Sequence, residues 1–491
     1  MSVIRKTSST GSCSYIETDE QSGTVIAQRD FPGIFPVYYV VTNEGCFCDF
    51  RIEDVIKKSG ISRQNDPDAL GLYLTFSCLP GQRTFYKDVK KLMPGCRLEY
   101  KDHKLSITRY YHLDTTKKST INVQQATADI RSALESSVQS CHEDAAFLSS
   151  GIDSSILSKL GNVSDTYTVD YDEEGFSEAD EAEAYSKEIG AKHHRLKVNR
   201  NDYFSVLPEC ASHIEQPVGD CSYPTYYLLC KMAAQERPSA FSGEGSDELF
   251  FGYPLNNYLR FRWYEKLPKK FRQKMLSVFG SLHPTLERFL RFHNGDILDG
   301  YRGPVVIFTD KEKEELLVTR PQDDTLRELL DELYDGISDL PLEERMYYFN
   351  IREWMEADIL TGAVKLADGA GLSVTMPFLN KNVIQTANSI PVKYQIHSGE
   401  TKHLLRKAFE GVLPDRIVHG KKKGFAVPIS AWMRDPAVFD HICSILNSPK
   451  TDRYFCRSAV TKLLEKYAST PEDNWTWRKI WLLYSYMIWT D

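Results

Sequence analysis

The chain has 491 residues, of which 42% are hydrophobic and 26% are charged, and its net charge is −8 at neutral pH. This length exceeds what a single ordinary core accommodates, so we expect two or three domains. The acidic balance argues against a nucleic-acid partner, because binding a polyanion normally requires a basic face. No segment resembles a secretory leader or is long and apolar enough for a bilayer, so we expect a cytoplasmic protein without a membrane partner.

The first part of the chain predicts a small α+β domain. Residues 1–20 are rich in Ser, Thr and Gly and predict a loose arm. Short runs of β-branched and aromatic residues between turn signals then predict strands from Thr24 to about Tyr110. After a polar stretch, apolar residues recur every four positions from about Val123, which predicts an amphipathic helix. We therefore expect two domains, residues 1–118 and residues 119–491.

Strand-like and helical patterns alternate after this helix, as far as about residue 245. This alternation predicts a parallel sheet with helices on its faces, and hence an α/β fold for the second domain. From about residue 255 onward the pattern is mostly helical. Ligands of parallel sheets bind at the carboxyl ends of the strands, so we expect function in the loops that follow strands.

Two loops at predicted strand ends carry unusual sets of polar residues, one from Ser149 to Ser154 and one from Ser242 to Glu248. Small residues in the first loop let backbone N–H groups and hydroxyls approach an anion, and the following helix adds its positive N-terminal end. Asp153 by itself would repel a phosphate. We therefore expect Mg²⁺ between the carboxylate and the phosphates, with Asp247 of the second loop as a second ligand.

The pattern S-x-G-x-D-S of the first loop is short. Taken alone, it is equally typical of a strand-to-helix turn in which Asp or Ser caps the helix for stability. The second loop, with its own acidic residues at another strand end, favours a nucleotide site over this structural alternative.

Longer segments resemble the asparagine synthetase family. LSSGIDSS is similar to the S-G-G-x-D-S pyrophosphate loop of ATP pyrophosphatases, with Ser150 in place of the first glycine. FSGEGSDELFFGY closely resembles the family signature S-G-E-G-A/S-D-E-L-F-G-G-Y, and VIAQRDFPGIFPVYY and FYKDVKKLMPG resemble segments of the family's N-terminal domain. PFLN, the run from Lys402 to Arg406, LPDRIV and KKKGFAVPISAW have counterparts in its synthetase domain. The likeness covers roughly residues 24–490.

The resemblance implies an adenine nucleotide α-hydrolase-like synthetase domain behind a smaller domain that resembles a truncated Ntn-hydrolase fold. It implies ATP and Mg²⁺ as cofactors, with Asp153 and Asp247 on the metal. Glu244 is then the base for the attacking nitrogen, and Lys422 is the catalytic lysine where oxyanion and phosphate charge develop. The implied nucleotide contacts are Leu148 and Val169 beside the adenine, Ser149, Gly151, Asp153 and Ser154 on pyrophosphate, and Ser242 and Gly243 in the second loop.

The chain departs from the family near its N-terminus. Family members begin Met-Cys, and the α-amino group of that cysteine assists its attack on glutamine, whereas position 2 here is Ser2. The strands that would precede VIAQRD are also expected to be missing. We therefore interpret residues 1–118 as a truncated, inactive glutaminase-like domain and expect ammonia or an amine, rather than glutamine, as the nitrogen source.

A second departure lies in a segment that reads S-L-E-V-R-x-P-F-L-D in the family. Ser373, Thr375 and Asn380 stand here in place of a glutamate, an arginine and an aspartate. We interpret this loss of charge as a change in the acyl-substrate pocket that puts aspartate in doubt. It resembles the divergent branch of the family that includes β-lactam synthetases and lasso-peptide cyclases.

The leading hypothesis is an ATP-dependent amide synthetase of a specialised biosynthetic pathway, acting on a small-molecule, carrier-bound or peptide carboxylate. The alternatives are an intramolecular cyclase and a catalytically silent, synthetase-like binding protein. Retention of Asp153, Glu244, Asp247 and Lys422 argues against silence, because a fold requires none of these four for its core. The sequence leaves the oligomeric state open, with a homodimer among the alternatives.

Overall fold

The structure is a computed structural model. It describes residues 2–114, 118–119, 122–253, 261, 263–279, 286, 289–290, 293, 307–322, 324–334, 337, 340–395, 397, 400–420, 424–472 and 475–490.

The N-terminal domain contains two antiparallel sheets and two helices, as expected for an α+β domain. The strand order is β1-β2-β3-β7-β8 in the larger sheet and β5-β4-β6 in the smaller one. Apolar side chains from both sheets, among them Ile16, Ala27 and Tyr39, form a core of their own. The strands are β1 (Ser2–Thr7), β2 (Cys13–Asp19), β3 (Thr24–Gln28), β4 (Tyr38–Thr42), β5 (Gly45–Asp49), β6 (Lys90–Lys91), β7 (Cys96–Lys101) and β8 (Lys104–Arg109).

The first twenty residues are not a loose arm. They contain β1 and β2, and β2 pairs with β3 in a register that places Ile16 opposite Ala27. Within β2, Ser14 and Ile16 are buried while Tyr15 and Glu17 are half-buried, so the strand has the alternation of a sheet with one covered face. The expectation that strands before VIAQRD are missing is therefore wrong. Serine and threonine suggested a loop by composition, but threonine also suits strands.

The second domain is built on a parallel sheet, as the alternation predicted. Its strand order is β11-β10-β9-β12-β13, and every pairing is parallel. The strands are β9 (Ala145–Phe147), β10 (Asp165–Asp170), β11 (Lys192–Lys197), β12 (Ser239–Phe241) and β13 (Ser373–Thr375). The edge strand β13 was not predicted, because three residues inside a largely helical region carry no readable period.

Helices cover both faces of this sheet. The predicted helix at Val123 is confirmed, and Ala126, Ile130, Leu134 and Val138 form its buried face. Within the described ranges, no helix combines the length and apolar character needed to cross a bilayer. The α-helices are α1 (Ile52–Ser59), α2 (Pro67–Phe76), α3 (Val123–Gln139), α4 (Ile152–Gly161), α5 (Ala179–Glu188), α6 (Arg200–Ser205), α7 (Leu207–Ile214), α8 (Tyr223–Ala234), α9 (Ser246–Leu249), α10 (Lys269–Phe279), α11 (Asp310–Leu316), α12 (Thr325–Tyr334), α13 (Leu342–Phe349), α14 (Thr361–Ala370), α15 (Lys381–Ser389), α16 (Val392–Gln395), α17 (His403–Ala408), α18 (Asp415–Val418), α19 (Ile429–Trp432), α20 (Pro436–Leu446), α21 (Arg457–Ser469) and α22 (Thr476–Thr490).

One long helix contains a π-helical segment in its middle. Helix α13 continues into a π-helical segment, Asn350–Leu360, and then into α14 without a break in the helical backbone. Such π-helical turns often mark functional positions. The start of α14 packs closely on α8, because a Cβ built at Gly362 would lie 2.2 Å from the ring of Tyr223.

The two domains share packing across their sequence boundary. Helix α2 belongs to the main core of the molecule, in which Leu70, Tyr73 and Phe76 are buried together with residues of the second domain. The Tyr73 hydroxyl also donates a hydrogen bond to the Leu482 carbonyl at 3.3 Å. The division after residue 118 therefore separates two sequence segments that share part of a hydrophobic core.

Candidate active site

The two polar loops meet beside the central strand of the parallel sheet. Chain order reverses between β9 and β12, which is the position where doubly wound sheets bind ligands. A cavity of about 540 Å³ lies at this edge. Lys422 is outside the described residues. All the other predicted site residues line this cavity: Leu148, Ser149, Gly151, Asp153, Ser154, Val169, Ser242, Gly243, Glu244 and Asp247.

The first loop is organised by its own hydroxyl groups. The Ser154 hydroxyl accepts a hydrogen bond from the Ser149 N–H and lies 3.1 Å from Ser149 Oγ. The Gly151 N–H donates to Ser149 Oγ at 3.1 Å. Helix α4 begins directly after Gly151, and no described side chain caps its first turn. The N–H groups of that turn can therefore bind an anion such as phosphate.

Asp153 connects the first loop to the second. Its Oδ1 accepts a hydrogen bond from the Ser246 hydroxyl at 2.5 Å. A Cβ built at Gly243 would lie 3.3 Å from the Cβ of Asp153, so the two backbones are close at this point. The absence of a side chain at Gly243 permits this close approach of the two loops.

Lys402 bridges the two predicted metal ligands. Its ammonium lies 2.5 Å from Asp153 Oδ2 and 2.7 Å from Asp247 Oδ1, and its side chain is 2% exposed. Burial by itself lowers the pKa of Lys402, but the two carboxylates outweigh burial and raise it above its ordinary value. The residue has φ = +57°, a left-handed conformation that is uncommon for lysine and often found at functional sites. Sequence reasoning matched the run that begins with Lys402 to the family but assigned the residue no role.

The arrangement of Asp153 and Asp247 suits a divalent cation. Carboxylates from two separate loops converge on one atom, and hard oxygen ligands together with phosphate oxygens are what Mg²⁺ prefers. Asp153 and Asp247 would hold the ion. Lys402 would add positive charge against the phosphates.

Glu244 lies in the same cavity as these groups. Its carboxylate is 3.4 Å from the Ser242 hydroxyl. Burial, followed by repulsion from Glu248 and Asp247, raises the pKa of Glu244 to about 8. A carboxyl group with a pKa near the working pH is suited to accept and release a proton.

Further acids line the cavity. Asp220 and Glu248 are among its lining residues, and burial raises the pKa of Asp220. Asp358 does not line the cavity; it is 3% exposed and accepts a hydrogen bond from the Tyr223 hydroxyl at 2.9 Å. Burial, and then repulsion from Asp220, raises the pKa of Asp358. Sequence reasoning included Glu248 in the second loop but missed Asp220, Tyr223 and Asp358, because isolated acids and tyrosines outside a motif carry no local signal.

The three substituted positions of the acyl-substrate segment lie elsewhere. None of Ser373, Thr375 and Asn380 lines the cavity. Thr375 is buried in β13 and hydrogen-bonds to Glu143, while Asn380 caps α15 by accepting from the Asn382 N–H at 2.9 Å. Ser373 is exposed at the start of β13. The cavity lining therefore lends no support to an altered substrate pocket, and the change of substrate stays a prediction.

A second group of titratable side chains lies at the opposite edge of the sheet. Asp165, His194 and Glu236 lie close enough to hold a metal ion. The guanidinium of Arg237 pairs with Asp165, and Lys192 lies 3.4 Å from Glu236. These cations already neutralise the carboxylates, so we interpret the group as a structural ion network.

Comparison with protein families agrees with this geometry. The asparagine synthase family profile matches residues 129–491, and a glutamine amidotransferase domain profile matches residues 7–111. The first match covers more than half of the chain. The chain belongs to the asparagine synthase family. Members of this family are ATP-dependent ligases that form amide bonds, and the protein is accordingly an ATP-dependent carbon–nitrogen ligase.

Individual relatives are similar to this chain over most of its length. "Asparagine synthetase (glutamine-hydrolyzing) 1" of Bacillus subtilis is 29% identical over 98% of this chain and 77% of its own length. A Mycobacterium bovis protein, provisionally named glutamine-hydrolysing asparagine synthetase, is 28% identical over 89% of this chain and 69% of its own. "Asparagine synthetase (glutamine-hydrolyzing) 3" of B. subtilis is 24% identical over 83% and 66%.

Gly252→Ala should disable the bridge between the two loops. A Cβ at this position would lie 1.7 Å from Asp247 Oδ1 and 2.3 Å from Lys402 Cε, so both groups must shift. We expect ATP-dependent AMP formation to fall by about 10²-fold, since displacements near 1 Å at such sites have effects of that order. Gly175→Ala is the control, because that glycine has φ = +85° and no neighbour within 4 Å. It should lower stability modestly and leave AMP formation per folded molecule unchanged. Equal losses in both variants would contradict this reading of the site.

The raised pKa of Glu244 predicts that the attack of the nitrogen on the activated acyl group depends on pH. A base acts only when ionised, so activity should be lost as the pH falls through about 8. At a fixed concentration of unprotonated ammonia, amide formation should fall about tenfold per pH unit below about pH 7 and level off above about pH 9. The measurement is amide product against pH, with Glu244→Gln as the flat reference. A wild-type profile as flat as that of the variant would refute the assignment.

Proposed function

We propose that this protein joins a carboxylate to ammonia or an amine through an acyl-adenylate, and that it does not take its nitrogen from glutamine. The observation that carries the proposal is the convergence of Asp153, Asp247, Lys402 and Glu244 at one cavity. Charges of both signs meet there beside an uncapped helix N-terminus, which is what activation of a carboxylate by ATP requires.

In the activation step, a carboxylate oxygen forms a bond to the α-phosphorus of ATP. The bond from that phosphorus to the bridging oxygen breaks, and pyrophosphate leaves. Ser149, Ser154 and the first turn of α4 bind the departing phosphates, and the Lys402 ammonium neutralises their charge. The divalent ion, when bound by Asp153 and Asp247, supplies further charge neutralisation on the phosphate oxygens.

In the capture step, the nitrogen forms a bond to the acyl carbon and the bond from that carbon to AMP breaks. The nitrogen must lose a proton, and Glu244 is placed to accept it. Glu248 and Asp220 line the same cavity and favour the entry of a cationic nitrogen compound by charge complementarity. This acidic lining supports ammonia or an amine as the nucleophile.

The cysteines of the N-terminal domain support independence from glutamine. The resemblance implies a nucleophile that uses its own free α-amino group, as an N-terminal cysteine does. Cys46, Cys48 and Cys96 are instead buried within strands, Cys78 is buried after α2, and Cys13 lies inside β2 opposite Thr7. None of these five has a free α-amino group.

The carboxylate substrate is a small acid with L-aspartate as its first candidate. The relatives carry asparagine synthetase names, and Ser373, Thr375 and Asn380 lie away from the cavity. The first carboxylate to test is therefore L-aspartate, followed by other small, carrier-bound and peptide carboxylates. A product that forms only by ring closure of the substrate would favour the cyclase alternative.

Substitution of Glu244 should separate the two chemical steps. Pyrophosphate release requires the phosphate-binding loop and a bound carboxylate, whereas amide formation also requires a base. Glu244→Gln keeps the size and removes the base, so amide product should fall by at least about 10²-fold while AMP still forms through slow hydrolysis of the adenylate. The measurement is AMP, pyrophosphate and amide from the same reaction.

Asp153→Asn is the matched comparison, because it also replaces a carboxylate by an amide at the edge of the cavity. It should stop both steps, since the phosphates are no longer held in line. If Glu244→Gln abolished pyrophosphate release as completely as Asp153→Asn, Glu244 would belong to the nucleotide site. Formation of ADP and phosphate instead of AMP and pyrophosphate would contradict the proposed chemistry.

Glutamine should not be hydrolysed. We expect no release of glutamate from glutamine in the presence or absence of ATP, while ammonium salts support amide formation. Replacement of Ser2 by Ala should change neither result. Glutamate release that Ser2→Ala abolishes would show that the N-terminal domain is an active glutaminase.

A further inference from the structure

Three charged side chains are buried together where the two domains meet. Glu356, in the π-helical segment, pairs with Arg29 Nη2 at 2.6 Å and with Lys91 Nζ at 2.8 Å. The side chains of Arg29 and Glu356 are fully buried, and that of Lys91 is 6% exposed. We call Arg29, Lys91 and Glu356 the ion trio. Two of its members belong to the N-terminal domain and one belongs to the second domain.

The cations of the trio are held in place by the N-terminal domain. Arg29 donates to the carbonyls of Phe35, Gly33 and Leu92 at distances from 2.8 to 3.2 Å. Lys91 donates to the Leu79 carbonyl at 3.3 Å. A buried charge is tolerated only when it is paired and hydrogen-bonded, and here each of the three nitrogens of the Arg29 guanidinium donates to a carbonyl of its own domain.

Glu356 is the residue of the second domain with which these two cations form ion pairs. Burial alone raises the pKa of Glu356, but Arg29 and Lys91 outweigh burial and keep it below its ordinary value. The fit is close, because Gly33 has φ = +84° and a Cβ built there would lie 3.0 Å from Glu356 Cγ. If the π-helical segment moved away, Glu356, Arg29 and Lys91 would be left as buried charges without their partners.

The same turn of helix reaches the active-site cavity. Two residues after Glu356, Asp358 accepts a hydrogen bond from the hydroxyl of Tyr223, and Tyr223 lines the cavity. Ile359 lines the cavity directly. A shift of the π-helical segment would move this wall.

Met355, which precedes Glu356, lies near the second loop. A Cβ built at Gly245 would lie 3.7 Å from Met355 Sδ, and Gly245 follows Glu244 in the chain. The π-helical segment thus carries one member of the ion trio and borders both the cavity and the loop of Glu244.

We propose that the N-terminal domain serves the synthetase reaction by positioning the π-helical segment through the ion trio, so that Tyr223, Ile359 and Glu244 form the acyl end of the cavity. Arg29, Lys91 and Glu356 are positioning residues, since none of them lines the cavity. The assignment of that end to the carboxylate substrate rests on the proposed function. The positioning itself does not.

The test compares two substitutions of the same kind in the full-length protein. Lys91→Met removes one cation of the trio and leaves Glu356 paired with Arg29. Lys313→Met is the matched control: Lys313 is buried in α11 and donates across the domain boundary to Thr75 Oγ1 at 2.7 Å, far from the π-helical segment in sequence and outside the cavity lining. Both changes remove a buried interdomain lysine.

Hydrogen–deuterium exchange tests the positioning of the π-helical segment without any substrate. Lys91→Met should increase amide exchange in peptides that cover residues 350–363 and 220–226, whereas Lys313→Met should increase exchange only around α2 and α11. Equal exchange in residues 350–363 and 220–226 for wild type and Lys91→Met would overturn the proposal. An increase of the same size in both variants would show general loosening and would also overturn it.

Kinetics then test the consequence for the reaction. With L-aspartate, or with the carboxylate that supports AMP release, Lys91→Met should raise KM for the carboxylate about fivefold and change KM for ATP less than about twofold. Lys313→Met should change neither. Equal rises for both substrates would contradict a role at the acyl end. If no carboxylate supports AMP release, the proposed function fails, and the exchange experiment still decides the positioning.

A charge-rescue variant guards against loss of folding. Glu356→Gln leaves two buried cations unpaired and should be less stable in urea than wild type. Adding Lys91→Met to Glu356→Gln restores the net charge of the trio. The double variant should recover part of the lost stability and lower the exchange of residues 350–363 toward the wild-type rate. A double variant that exchanges faster than Glu356→Gln alone would refute an electrostatic origin.

Discussion

The contact of the Lys402 ammonium with Asp153 and Asp247 is the interaction on which the site depends. Each carboxylate belongs to a different loop, and each loop follows a different strand of the parallel sheet. Without the buried cation, two carboxylates this close would repel one another. The ammonium therefore holds the loops together and presents positive charge where phosphates are expected. The glycine at position 252 is required by the same contact, since any larger residue would overlap both partners.

The cavity brings groups of opposite charge together. The Lys402 ammonium lies between Asp153 and Asp247, whereas Glu244, Glu248 and Asp220 add further acids to the lining, and burial raises the pKa of Glu244 and of Asp220. Under the proposed function, this single cavity both activates a carboxylate and deprotonates a nitrogen. The second loop, residues 242–248, contributes Asp247 to the first step and Glu244 to the second.

The N-terminal domain is integrated into the rest of the molecule. Helix α2 contributes to the main core, and the ion trio fixes the helix that borders the cavity. Stability alone does not account for three buried charges at this boundary, because buried ion pairs contribute little to stability relative to apolar packing. The trio is explained if the N-terminal domain shapes the site that the second domain uses.

The sequence by itself determined the elements that have a local signal. Alternating strands and helices predicted the parallel sheet, and the two small-residue loops contain eight of the ten predicted cavity-lining residues, because these patterns are read within a few positions. Composition misled in the first twenty residues, where serine and threonine suggested a loop. Strand β13 was not predicted because its three residues carry no readable period. Only the tertiary structure decided which charges meet: Lys402 lies 249 positions from Asp153, and Glu356 lies 327 positions from Arg29. Such pairings depend on how strands and helices stack in space, and nothing in either segment of sequence specifies its partner.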